Sequence, residues 1–163
     1  MYYISQGKPE YNGSYVEASY GGEKGMTKQE ALASKKKYDA PYDLRYNTNF
    51  VVNNTDGSIV GYKYFNFDPL MGKKNVQLLL TIIPEGIDGT IEVMVDRPWF
   101  SQQGELLGKA DVKADMTPGT PIELAIPLQG YSGLAGKHAI FFVFKSDTKE
   151  KSICSLVDFV FKK

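Results

Sequence analysis

Near the C-terminus, Gly136-Lys137-His138-Ala139-Ile140-Phe141-Phe142-Val143-Phe144 is followed, across a charged loop, by Ser155-Leu156-Val157-Asp158-Phe159-Val160-Phe161. Aromatic and β-branched side chains pack well on a pleated surface, so both runs suit strands. With Ser146-Asp147-Thr148-Lys149-Glu150-Lys151 between them, they read as the closing hairpin of an all-β sandwich.

The same grammar extends back along the chain. Asn49 to Asn53 runs into Asp56-Gly57, a strong turn signal. Ile59 to Phe67 is rich in Tyr and Phe and stops at Asp68-Pro69. Val76 to Ile83 is nearly continuous apolar sequence, as expected of a strand buried on both faces or a central strand of a sandwich. Ile91, Val93 and Val95 alternate with Glu92, Met94 and Asp96, which predicts one buried and one mostly wet face. Glu105 to Val112 and the alternating Ile122, Leu124, Ile126 complete the set. With about eight or nine short strands and turn signals between them, the pattern is that of a β-sandwich or jelly roll. The 163 residues make one domain, with residues 1–13 as an N-terminal extension. One short helix is expected near the N-terminus. Thr27-Lys28-Gln29-Glu30 has capping-box spacing, Glu30 to Lys37 supplies helix formers, and Pro41 ends the helix by Ala40.

Charge and composition exclude several functions. Lys and Arg total 19 and so do Asp and Glu, which leaves no basic field for nucleic acid. No apolar run approaches the ~20 residues of a membrane span. The N-terminus lacks the basic-then-apolar layout of a signal peptide, although a module cut from a longer secreted protein would lack it too. The single cysteine, Cys154, sits in an apolar strand and is expected to be a buried, inert thiol.

Catalysis has little to work with. His138 is the only histidine, which excludes two-histidine zinc sites and leaves one residue to serve any Ser-His-Asp triad. A structural or surface imidazole is the expectation. There is no nucleophile elbow, phosphate-cradling loop or dinucleotide fingerprint. Glu92, Asp96, Glu105, Glu123 and Asp158 are the candidates for a glycosidase carboxylate pair. Most of them occupy polar strand positions where solvated charge is the default, so the chain is not expected to be an enzyme.

Sugar binding asks for flat rings that stack on a pyranose, with amides, hydroxyls or carboxylates around them. Trp99 lies in the polar turn Asp96-Arg97-Pro98-Trp99-Phe100-Ser101-Gln102-Gln103-Gly104, and Tyr131 in Gln129-Gly130-Tyr131-Ser132-Gly133. Each fits a ligand platform, and each also fits a plug at the end of a sandwich core. Tyr62 and Tyr64 alternate along one strand and are expected to share a face, packed against the sheet.

Five motifs in order resemble family 6 carbohydrate-binding modules. They are Val16-Glu17-Ala18-Ser19-Tyr20, Asp56 to Phe67, Gly89 to Asp96 with Gly108 after it, Gly136 to Phe144, and Ser155 to Phe161. The Arg97-Pro98-Trp99 variant looks most like modules appended to glycoside hydrolases of gut Bacteroidetes. The resemblance implies a galactose-binding-like jelly roll that binds polysaccharide or oligosaccharide for an appended glycoside hydrolase. That protein would be secreted, periplasmic or at the cell surface. The alternative is a structural sandwich that packs on a catalytic domain without binding sugar. Of the family's cleft positions, a tyrosine falls near Asn53, a tryptophan on Met116-Thr117-Pro118-Gly119, which has no aromatic, and an asparagine on Ser155. The carbohydrate-binding expectation therefore covers Trp99, Tyr131, Asn53 and Ser155. The resemblance also implies a structural calcium ion (Ca2+), with Glu17 and Asp158 as ligands.

Overall fold

The computed structural model describes residues 3–4, 15–17 and 50–163; the expected helix at 27–40 lies outside them. The strands are β1 (Tyr3–Ile4), β2 (Tyr15–Glu17), β3 (Phe50–Asn54), β4 (Ile59–Asn66) and β5 (Gln77–Pro84). They continue with β6 (Gly89–Val95), β7 (Glu105–Val112), β8 (Ile122–Pro127), β9 (Lys137–Lys145) and β10 (Cys154–Lys162). One sheet runs β1-β4-β9-β6-β7 and the other β2-β3-β10-β5-β8. Every recorded pairing is antiparallel. The all-β sandwich expected from the sequence is present.

The inner faces meet in one core. Leu78, Leu80 and Ile82 from β5 pack with Ile91 and Val93 from β6, Phe142 and Phe144 from β9, and Leu156 from β10. The rings interlock edge to face. Phe142 and Phe159 lie 5.0 Å apart, Tyr62 and Phe159 5.0 Å, and Phe65 and Phe159 5.3 Å. Such pairs add about 0.5–1.5 kcal/mol each beyond the area they bury. Burial in this cluster pushes the Tyr62 hydroxyl up to about 12, with the Asp158 carboxylate adding to the effect.

Three expectations change. The closing pair is not a hairpin, because β9 bonds to β4 and β6 while β10 bonds to β3 and β5. The loop between them crosses from one sheet to the other, so the two aromatic stripes face each other across the core. Tyr62 and Tyr64 do not share a face. The β4–β9 register shifts between Tyr62 and Phe65, which turns Phe65 inward and leaves Tyr64 63% exposed. Finally, Met94 is fully buried on the face of β6 expected to be wet, in a second cluster with Ile59, Phe141 and Val143.

Gly108 shows how tightly the open side of the sandwich closes. At the β6–β7 irregularity the β7 backbone comes so close to β8 that a Cβ on Gly108 would stand 2.7 Å from the Pro127 carbonyl oxygen. The Gln129 N–H, donating to the Leu107 carbonyl at 2.7 Å, holds that approach. Gly108→Ala is expected to destabilise the domain by about 1–3 kcal/mol, the range of an overpacked core site. Urea unfolding measures this, with the midpoint lowered and the slope unchanged.

Candidate carbohydrate-binding surface

The outer face of the β4-β9-β6-β7 sheet carries a groove of about 760 Å³, within the range of small-ligand sites. Ile59 from β4 and Val143 from β9 give it apolar wall, and Thr90 and Asp111 a polar one. Trp99 lines it as well, although its connection leaves β6 at the opposite end of the sheet. The indole is 43% exposed, so it is not a core plug. It offers ring surface beside hydroxyls and carboxylates.

The Trp99 loop is built to hold its shape. Asp96 takes a left-handed backbone (φ 63°), and so does Gln103 (φ 65°). The N–H groups of Gln102 and Gly104 both donate to the Trp99 carbonyl oxygen, at 3.1 and 3.0 Å. Only glycine fits at position 104, because a Cβ there would lie 2.2 Å from the Arg97 carbonyl oxygen. Asp96 ties the loop to β9. One carboxylate oxygen accepts from the Ala139 N–H at 3.3 Å, and the other lies 2.8 Å from His138 Nδ1.

The far rim is equally fixed. The Ser146 N–H donates to the Asp56 carboxylate at 3.2 Å, and its hydroxyl to the Asp88 carbonyl at 2.6 Å. Thr148 N–H in turn donates to Ser146 Oγ at 3.1 Å. The Thr90 hydroxyl donates to Asp111 at 3.1 Å, and Lys145 Nζ pairs with Glu92 at 2.8 Å. Four separate connections are thereby braced around one groove before any ligand arrives. Such preorganisation lowers the ordering cost of binding.

The remaining candidates fall elsewhere. Asn53, Ser155 and the Met116–Gly119 turn do converge at one end of the sandwich. Cys154 pairs with Asn54, Ser155 with Ile83, and the Gly119 N–H donates to the Pro84 carbonyl. That end is polar: Ser155 is nearly buried, and its hydroxyl and that of Ser152 point to the Glu85 carboxylate at 3.3 and 2.8 Å. Tyr131 corrects the sequence expectation. It is buried in the core, and its hydroxyl donates to the Lys73 carbonyl at 2.8 Å, so no ring face is left for a sugar. Tyr64, missed as a candidate because strand alternation predicted it packed, is the more exposed ring.

Asp158 is exposed on β10, and the backbone of Glu17 pairs with Phe50 on β3. Among the described residues no group of three His, Cys, Asp or Glu is placed to hold a metal ion. A hard cation wants six to eight oxygens, so backbone carbonyls would have to supply most of a calcium site that used Glu17 and Asp158. Cys154 is fully buried, and burial pushes its thiol up, as expected of an inert cysteine.

No protein-family model matches the chain, and no curated protein matches it significantly. Solved structures do resemble it. A family 6 carbohydrate-binding module from Clostridium stercorarium, in complex with cellobiose, is 18% identical with a TM-score of 0.55, over 99% of this chain and 93% of that one. A β-1,3-glucan-binding family 6 module from Bacillus halodurans is 16% identical with a TM-score of 0.57, over 99% and 96%. A family 43 arabinoxylan arabinofuranohydrolase from Bacillus subtilis, in complex with cellotetraose, is 21% identical with a TM-score of 0.60. There the match covers 78% of this chain and only 23% of the enzyme. The chain therefore has the β-sandwich fold of family 6 carbohydrate-binding modules.

His138 gives the Trp99 loop a pH dependence. Both ring nitrogens face acceptors, Asp96 at 2.8 Å and the Ala135 carbonyl at 3.2 Å, so the imidazolium satisfies both. The hydrogen bond to Asp96 raises the His138 pKa above the ordinary value, against a smaller opposing effect of burial. A raised folded-state pKa contributes stability that is fully present below the unfolded value, about 6.5, and is lost as pH rises through the folded value. Thermal melts should show His138→Gln destabilised most at acid pH, with the gap to wild type shrinking above neutrality. A gap that widens with pH would contradict the assignment.

Proposed function

We propose that this chain is a non-catalytic carbohydrate-binding module that holds a polysaccharide-degrading enzyme on its substrate. The observation that carries the reading is the exposed Trp99 ring, held by its own loop beside a braced polar rim. An indole face covers the apolar side of a pyranose, and the hydroxyls of Thr90 and Ser146 with the Asp111 carboxylate suit its rim. The fold neighbours agree in kind, since those described with ligands hold cellobiose or cellotetraose and one is a part of a larger hydrolase. We place the site in the Trp99 groove and not at the Ser155 end, where the nearly buried Ser155 hydroxyl is turned to Glu85. An appended glycoside hydrolase and a secreted, periplasmic or cell-surface location follow from this reading.

Two of the candidate catalytic carboxylates are occupied by other work. Glu92 is neutralised by Lys145, and Asp96 fixes His138 and the Ala139 N–H. In a native affinity gel containing β-glucan or xylan, the wild-type chain should be retarded. Trp99→Ala should weaken binding about tenfold or more, on the scale of an interface hot spot. Equal retardation of the variant would remove Trp99 from the site. Migration unaffected by every polysaccharide would favour a structural domain that packs on a catalytic partner, and release of reducing sugar would mean an enzyme.

A further inference from the structure

On the same outer face a second depression, of about 460 Å³, lies between Tyr64, Asp96, Arg97, Gln102, Gln103 and Ala139. Ala139 and Val143, which belong to the two depressions, stand about 14 Å apart along β9, at ~3.4 Å per residue. Phe141 and Met94, the outer-face residues between them, are both buried, and the two hollows share no lining residue.

The chemistry of this hollow differs from that of the Trp99 groove. Its ring, Tyr64, is the most exposed large hydrophobic residue among those described. Arg97 has no carboxylate partner among the described residues and makes one bond, to the Asp96 carbonyl at 3.1 Å. Lys63 Nζ lies 5.5 Å from the centre of the Tyr64 ring. The one carboxylate in the hollow, Asp96, is already committed to His138 and to the Ala139 N–H. The side-chain amides of Gln102 and Gln103 are exposed and make no hydrogen bond to described residues. By contrast, two lysines that line the Trp99 groove face carboxylates, Lys145 with Glu92 at 2.8 Å and Lys113 with Asp111 at 3.9 Å.

We infer that the Tyr64–Arg97 hollow is a second glycan site, and that it takes a sugar bearing a carboxylate, a uronic acid. The guanidinium fork receives the carboxylate through two parallel hydrogen bonds, a geometry that arginine matches and lysine does not. The exposed face of Tyr64 covers the sugar ring, and the glutamine amides reach its hydroxyls. The inference rests on reading this chain as a glycan-binding module, but not on the Trp99 groove.

Affinity electrophoresis with three soluble polymers tests it: polygalacturonate, the same polymer fully methyl-esterified, and polyglutamate. Polygalacturonate should retard the wild-type chain, and Arg97→Ala should weaken that retardation about tenfold, the scale of a lost charge-assisted hydrogen bond. Tyr64→Ala should weaken it as well. Arg97→Lys should recover only part of it, and Trp99→Ala should leave it unchanged. The esterified polymer, which lacks the charge, and polyglutamate, which lacks the ring, should each bind weakly. No retardation by polygalacturonate, equal binding of either control polymer, or indifference to Arg97→Ala would overturn the site. Loss in Trp99→Ala instead would assign the anionic sugar to the groove. Because neutral glucan reads the groove and polygalacturonate the hollow, failure of one proposal is visible apart from failure of the other.

Discussion

The interlocking of aromatic rings across the sandwich is the contact on which the rest of the molecule depends. Phe142 and Tyr62 come from one sheet and Phe159 from the other, and they meet edge to face at 5.0–5.9 Å. Phe67 extends the chain of rings to Phe161 at 5.5 Å and to the His138 imidazole at 5.6 Å. These contacts fix how the sheets lie against each other, and they consume the inward-facing aromatics of β9 and β10. What remains for recognition is therefore carried on the outer face and its loops. Of the three exposed rings among the described residues, Trp99, Phe100 and Tyr64, Trp99 and Tyr64 each line a hollow of that face.

Position on the sheet decides what those rings can do. Trp99 belongs to a loop held by its own carbonyl hydrogen bonds and by Asp96, which in turn reaches β9 through Ala139 and His138. The loop is thus anchored to the central strand of the sheet whose outer face it covers. The opposite rim is anchored through Ser146 to two other turns. The exposed ring and the polar edge of the groove are thus both placed in advance, as the proposed binding surface requires.

Much of the fold was legible in the sequence. Turn signals such as Asp56-Gly57 and the alternation of Ile91, Val93 and Val95 located strands whose observed ends differ by a residue or two. The sheet assignment of the closing pair was not legible, because aromatic strands joined by a polar loop look alike whether they pair side by side or face to face. Tyr64 was hidden for a different reason: a register shift after Tyr62 reverses the alternation, and nothing local in Gly61-Tyr62-Lys63-Tyr64 marks it. Trp99 and Tyr131 were equivalent as loop aromatics. What separates them is the Lys73 carbonyl, 58 residues away in sequence, which captures the Tyr131 hydroxyl.

Trp99 is the only tryptophan in the chain, so emission excited selectively from indole reports on the surroundings of this one ring. Titration with cello-oligosaccharides or β-1,3-gluco-oligosaccharides should give a saturable change in indole intensity with a shifted emission maximum, abolished by crowding the groove wall with Thr90→Arg. Binding detected by calorimetry with no change in indole emission would contradict the account, because the sugar would then sit away from Trp99.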